Sequence, residues 1–329
     1  MPRLLPDATH YIPVHPATEG WDSQRLVVER HYFPAPEKCD RNIALLWSHS
    51  NGFNKESLHP LMRHFIEYIR QHRPQYNSTN FTFVVWEARN HGDSARLNQG
   101  TFRDTYVWFD NVMDTKQVID VMELKKDHDK LFGVGHSFGA TSMLLCEFFY
   151  PKTFDGLCLI EPVIGDNIDD VVVREQYPTM ASAKRRDTWD SFEDALKLMQ
   201  QRRFWNRFDP EVLDLYVRYG MYKREDGKVT LKCPKEQETH NFRMQTYART
   251  TGFRSLPTLK IPTDFIYAKE SVFLLPGHEG DITSKTKYAK VTWAEGTHMA
   301  PNERPKEFAP IITAAFDRAM AEAIPSSRL

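Results

Sequence analysis

The chain has 329 residues, 41% apolar and 12% aromatic, which is enough for a sizeable core and unlike a disordered composition. Its 43 Lys and Arg against 44 Asp and Glu leave a formal net charge of −1, which does not point to nucleic acid as a partner. No apolar run approaches the ~20 residues of a membrane span. The opening MPRLLPDATHYIP lacks a secretory pattern, and Cys39, Cys146, Cys158 and Cys233 form no C-x-x-C pair, so buried reduced thiols are expected.

In chain order, Ile43–Trp47 is a short apolar run and predicts a strand that ends in the polar turn HSNGF. Leu58, Leu61, Met62, Phe65, Ile66 and Ile69 then recur at helical spacing and predict an amphipathic helix over 57–72. Asn80–Trp86 is β-rich and is followed by the loop RNHGDS, and a helix is predicted across 105–124. Leu131–Val134 reads as a buried strand, and Ala140–Phe148 as a helix packed close to it. Gly156–Ile160, Pro262–Ala268 and Lys290–Ala294 are later strands. The alternation predicts an α/β protein with a mostly parallel sheet and helices on both faces.

From about 165 to 255 the rhythm breaks into a charged, helix-rich interval. Asp209-Pro210 marks a helix start there, and Asp226-Gly227 a turn with a short ribbon around it. The interval is too long for an ordinary crossover and predicts an inserted, mainly helical cap. The chain divides accordingly into a first core part (1–164), a cap (165–255) and a second core part (256–329).

Between the 131–134 strand and the 140–148 helix lies VGHSFGA, a G-x-S-x-G pattern. A serine that caps a strand and opens a helix sits in a tight turn, so the residues two before and two after it must be small, as Gly135 and Gly139 are. Ser137 is therefore the candidate nucleophile. With 13 histidines in the chain, position must choose the base. His298, in GTHMAP after the last predicted strand, falls at the same sheet edge as Ser137, and the order serine first, histidine last fits a hydrolase. His136 is expected to be structural, and His49 and His91 to brace the site. An oxyanion hole needs two backbone donors. Phe138, at the start of the helix, supplies one. Asn51, in HSNGF, supplies the other by position, with Gly52 allowing close approach to substrate, although the same residues also make a plain Asn-Gly turn. No metal-ligand spacing such as H-E-x-x-H is present, and neither a metal nor a cofactor is expected.

Taken together, HSNGF, EARNHGDSA, VGHSFGA and GTHMAPNERP resemble the α/β-hydrolase superfamily over roughly residues 25–165 and 255–320. Through the cap, KRRDTWDSFEDALKLM, FDPEVLDLYVRYG and VTLKCP are similar to a fungal group of peroxisomal hydrolases. That group includes a yeast peroxisomal lipase and acyl-CoA hydrolases of toxin and mycophenolic-acid pathways. The resemblance implies a serine hydrolase acting through an acyl-enzyme. An epoxide hydrolase or dehalogenase of this fold would carry aspartate at position 137. Most of the superfamily place the acid of the triad after the strand assigned to 262–268, but here Ala268-Lys269-Glu270-Ser271 has serine in that place. Glu161, at the end of the preceding strand, is the preferred acid and Glu270 the alternative.

The resemblance covers both thioesterases and lipases. Lys184-Arg185-Arg186, Arg202-Arg203, Arg207, Arg218 and Lys223-Arg224 favour a phosphate-bearing acyl-CoA substrate. Asp187, Asp190, Glu193 and Asp194 stand by to pair with them instead. A carboxylesterase or lipase on neutral esters, an acyltransferase and a non-catalytic binding protein stay open. Ser327, Arg328 and Leu329 resemble the S-K-L peroxisomal address and imply the import receptor as a partner; without it the chain is expected in the cytoplasm. Self-association as a homodimer is left open.

Overall fold

The computed structural model describes residues 3–166, 177–271, 273 and 278–321. Two strands precede any that the apolar pattern predicts, β1 (Ala8–Pro13) and β2 (Arg25–Phe33). They are followed by β3 (Arg41–Ser48), α1 (His59–His72), β4 (Thr79–Trp86), α2 (Gly92–Leu97), α3 (Trp108–Val121), β5 (Lys130–His136), α4 (Phe138–Phe149) and β6 (Gly156–Ile160). The next stretch holds α5 (Tyr177–Lys184), β7 (Thr188–Trp189), α6 (Phe192–Gln200), α7 (Pro210–Gly220), β8 (Met221–Lys223), β9 (Val229–Leu231), α8 (Lys235–Arg243) and α9 (Thr246–Ser255). The chain then runs through β10 (Thr263–Ala268), α10 (His278–Lys285), β11 (Ala289–Ala294), α11 (Ala300–Glu303) and α12 (Pro305–Ala321).

Eight strands form one sheet in the order β1-β2-β4-β3-β5-β6-β10-β11. The strands from β4 to β11 in that order are mutually parallel, and β1 and β2 join antiparallel at one edge. The inner strands are buried on both faces, which is why they read as continuous apolar runs. On one face Trp47, Phe65, Phe83, Phe132 and Phe316 pack beneath α1 and α12. On the other, Trp86, Trp108, Phe138, Leu144 and Phe265 pack beneath α3, α4 and α9. All parallel strands end at one edge, and the chain order reverses between β3 and β5, the place where open α/β sheets form a crevice.

Between β6 and β10 the helices pack with a small antiparallel sheet, β7-β9-β8, whose β8–β9 hairpin encloses Asp226-Gly227. Asp209 Oδ1 accepts the amides of Glu211 (2.8 Å) and Val212 (3.4 Å), the cap that the Asp-Pro pair predicts. The apolar cluster of this region, with Trp189, Val212, Leu213, Tyr216, Met221 and Leu231, also takes in Phe53 and Met299. Phe53 stacks on Phe208 at 5.8 Å and Met299 directly follows His298, so two edge loops are each anchored in the region between β6 and β10.

Among the described residues no helix is long and apolar enough to cross a membrane. Cys146, Cys158 and Cys233 are buried free thiols, but Cys39 is exposed, because it lies in the turn before β3 and not in an apolar run. Residues 327–329 lie outside the described residues.

Candidate active site

β5 ends at His136, and Ser137 follows with φ 53° and ψ −114°, a backbone conformation that L-residues avoid. The turn explains both glycines. A Cβ on Gly135 would lie 2.7 Å from Ala140 Cα, and one on Gly139 would lie 2.7 Å from His49 O. The strain lifts Ser137 Oγ to the sheet edge at the N-terminus of α4.

His298 Nε2 is 2.9 Å from Ser137 Oγ, and His298 Nδ1 is 2.7 Å from Glu161 Oε2. Glu161 is fully buried and has φ 52°. Its amide donates to Ile266 O (2.7 Å), just as the Ser137 amide donates to Ile160 O (2.8 Å), so both residues extend the sheet ladder. The carboxylate is satisfied on both oxygens. Oε1 accepts the Ala268 amide (2.6 Å), and Oε2 accepts the Ser271 hydroxyl (2.6 Å) beside the imidazole. Glu270, one residue away, points elsewhere. It is exposed and makes a two-pronged ion pair with Arg207 (2.8 and 2.9 Å).

The His298 loop is built from its own motif. Thr297 donates through N (3.0 Å) and Oγ1 (2.6 Å) to Glu303, which also meets Arg207, from the stretch between β6 and β10, at 3.3 Å. His136 Nε2 donates to His298 O (2.9 Å) from below, and the Phe273 ring lies 4.3 Å from the His298 ring. Serine at 271 is visible in the sequence as a departure from the superfamily pattern, but nothing there says that it holds the carboxylate. Nothing in the sequence gives Thr297 or Glu303 a role, and their i, i+6 spacing is the only trace they leave there.

The HSNGF loop is clamped from two sides. Gly52 N donates to His91 Nε2 (2.9 Å), and Ala88 N donates to His49 Nε2 (3.1 Å), which makes both histidines braces. Asn51 Nδ2 donates to Glu238 O (3.0 Å), and Asn51 Oδ1 accepts from Asn241 Nδ2 (3.1 Å), both from α8. Neither the Asn51 nor the Phe138 amide donates to an internal acceptor among the described residues. The role expected for Gly52 changes. Its φ of 81° requires glycine, and the space where a Cβ would sit is filled by Glu238 (2.6 Å to Oε1), not left for a substrate.

Burial lowers His49 to about 4 and His136 to about 3, and drives His91 well below its ordinary value of 6.5. All three are neutral in the folded chain and take up protons once it unfolds. Their contribution to stability is therefore complete above about pH 6.5 and is lost as pH falls toward about 4. Thermal melts should show Tm steady above pH 7 and falling steeply between these values. A Tm independent of pH across that window would mean that the histidines are solvated.

The family model for the alpha/beta hydrolase family matches residues 45–311, which includes every residue of this cluster. The chain belongs to the alpha/beta hydrolase family. Among its relatives are the abhydrolase domain-containing protein AFT2-1 of Alternaria alternata, 26% identical over 217 residues (55% of this chain, 81% of that protein), and the peroxisomal membrane protein LPX1 of Saccharomyces cerevisiae, 25% identical over 178 residues (48% and 46%). The type I acyl-CoA thioesterase mpaH of Penicillium brevicompactum is 23% identical over 195 residues (56% and 41%). The matched stretch thus spans less than half of the yeast and Penicillium proteins. The solved structure of the yeast peroxisomal alpha-beta-hydrolase Lpx1 superposes with a TM-score of 0.79 at 18% identity, covering 98% of this chain and 91% of that one. The thioesterase domain from the curacin biosynthetic pathway gives 0.65 at 14% identity, covering 93% and 100%. At these identities the superpositions establish the hydrolase fold.

Proposed function

We propose that this hydrolase is a serine enzyme that cleaves an acyl ester or thioester through an acyl-enzyme. The supporting observation is the unbroken chain from Ser137 Oγ through His298 to Glu161, set at a strained strand-to-helix turn. In this reading His298 Nε2 takes the Ser137 proton as Oγ attacks the acyl carbon. The Asn51 and Phe138 amides receive the oxyanion, helped by the dipole of α4. His298 returns the proton to the leaving group, then activates the water that releases the acid. Glu161 holds the imidazole in the required tautomer and stabilises its charged form. A screen of acyl-CoA thioesters, p-nitrophenyl esters and triacylglycerols tests the proposal. Turnover of none of them, with no labelling by a fluorophosphonate, would remove it.

Within that class we favour an acyl-CoA thioesterase. The relative mpaH, a type I acyl-CoA thioesterase, supports this. The cap cations support it less broadly than the sequence suggests, because most face acids. Arg185 is half-buried against Glu238 (2.6 Å), Arg207 pairs with Glu270, Arg218 with Asp214 (2.8 Å) and Arg224 with Asp226 (2.7 Å). Arg202 and Arg203 are exposed and, like Lys184 and Lys223, make no ion pair among the described residues, so these four are left to meet a nucleotide phosphate. An acyl-CoA should then show a higher kcat/KM than the matching acyl-pantetheine, roughly tenfold at low salt, and the gap should close as salt rises. Equal values at low salt would put neutral esters first.

A peroxisomal location is supported by the yeast relative, a peroxisomal membrane protein, and by the Ser327-Arg328-Leu329 sequence. Deleting 327–329 should leave the purified enzyme active and a tagged chain diffuse in the cytosol. Continued import of the truncated chain would require another address or a carrying partner.

A further inference from the structure

Away from Ser137, β2 alternation places Glu29 and His31 on one face of the strand, and His59 opens α1 directly over them. All three are at most 2% exposed. One ligand atom from each lies within 4.8 Å of the others. The Glu29 carboxylate is divided between two environments. Oε1 meets Arg3 (3.2 Å) and Lys55 (3.5 Å), whereas Oε2 faces His31 Nε2 and His59 Nε2, both at 3.4 Å. Lys55 is in turn held by Glu56 (2.8 Å) and Asp93 (2.8 Å), which offset its charge.

The unusual feature is what these atoms lack. Both ring nitrogens of His31, both of His59 and Oε2 of Glu29 are buried without a hydrogen-bond partner among the described residues. Five unsatisfied polar atoms in one place are costly, because each buried group without a partner loses its hydration. A charge-assisted N–H···O bond would close to about 2.7–2.9 Å. The 3.4 Å separations are too long for that. They equal the edge of a tetrahedron whose metal–ligand bonds are about 2.1 Å, the length zinc takes with imidazole nitrogen and carboxylate oxygen.

We propose that Glu29, His31 and His59 form a site for one divalent transition-metal ion of the zinc class. Two imidazoles and one carboxylate suit zinc or cobalt better than calcium or magnesium, which prefer an all-oxygen shell. Arg3 and Lys55 orient the carboxylate through its other oxygen, in the manner of groups behind a metal ligand. Such an ion would pin the start of α1, and with it the end of the Asn51 loop, to β2. Its role is structural, and no step at Ser137 passes through it. No spacing rule signals the site, because positions 29 and 31 lie on β2 and their partner at 59 comes from the start of α1.

The test uses the full chain, stripped with a chelator and titrated with Co2+. The expected result is visible d–d absorption of four-coordinate cobalt that saturates at about one ion per chain and is displaced by Zn2+, with a zinc-dependent rise in Tm. His31→Gln and His59→Gln should weaken binding by more than the roughly 10–100-fold that loss of an outer-shell partner costs. His72→Gln, on an exposed turn of the same helix, should not. His59→Cys keeps a ligand and should add a thiolate-to-cobalt charge-transfer band, which reads the site even if the glutamine variants fold poorly. A wild-type chain without the cobalt band or the zinc-dependent Tm shift would overturn the proposal. So would a His59→Gln chain that folds and keeps both. The cluster would then be an imidazole–carboxylate group that shares protons only.

Discussion

Ser137→Ala is expected to lower kcat by roughly a millionfold while the chain folds and melts close to the wild type. Among the described residues the side chain makes one hydrogen bond, to His298, and alanine faces the same backbone strain, so little stability is at stake. On the proposed function, however, the substitution removes the nucleophile and with it the acyl-enzyme route, and what the proposed oxyanion donors retain should not replace it. A fluorophosphonate should label the wild type once and the variant not at all. Equal labelling of both would place the nucleophile elsewhere and end the serine-hydrolase reading.

The second large effect is expected at the carboxylate. Glu161→Gln should reduce kcat by about 10,000-fold, because an amide facing Nδ1 no longer enforces the tautomer that leaves Nε2 free to accept the serine proton. Glu270→Gln should stay within about twofold, since an exposed ion pair with Arg207 contributes little. Ser271→Ala should fall between, roughly tenfold, by loosening the carboxylate without removing it. The opposite ranking of the two glutamates would move the acid to the loop after β10.

These residues also show how far the sequence carried the structure. Strands β3 to β6 were legible because burial on both faces makes each a continuous apolar run. Strand β2 was not, because Glu29, Arg30 and His31 interrupt it, and the buried polar pair among them is answered by His59, Arg3 and Lys55 from other parts of the chain. The serine turn was legible because its steric demand is local: two glycines flank one serine. Glu161 needed more. Its neighbour Glu270 is chemically equivalent, and only pairing between strands decides which carboxylate meets the imidazole. The cap arginines failed for the same reason, since charge in a sequence does not reveal which acid will neutralise it.

Ser137 and Glu161 share one further trait, a left-handed backbone at a residue other than glycine. Each such position costs of the order of 1–3 kcal/mol. Glycine would relieve that cost at both, so the residues proposed for catalysis are also places where the chain forgoes thermal tolerance. Selection for heat resistance alone would drift both toward glycine and extinguish the chemistry.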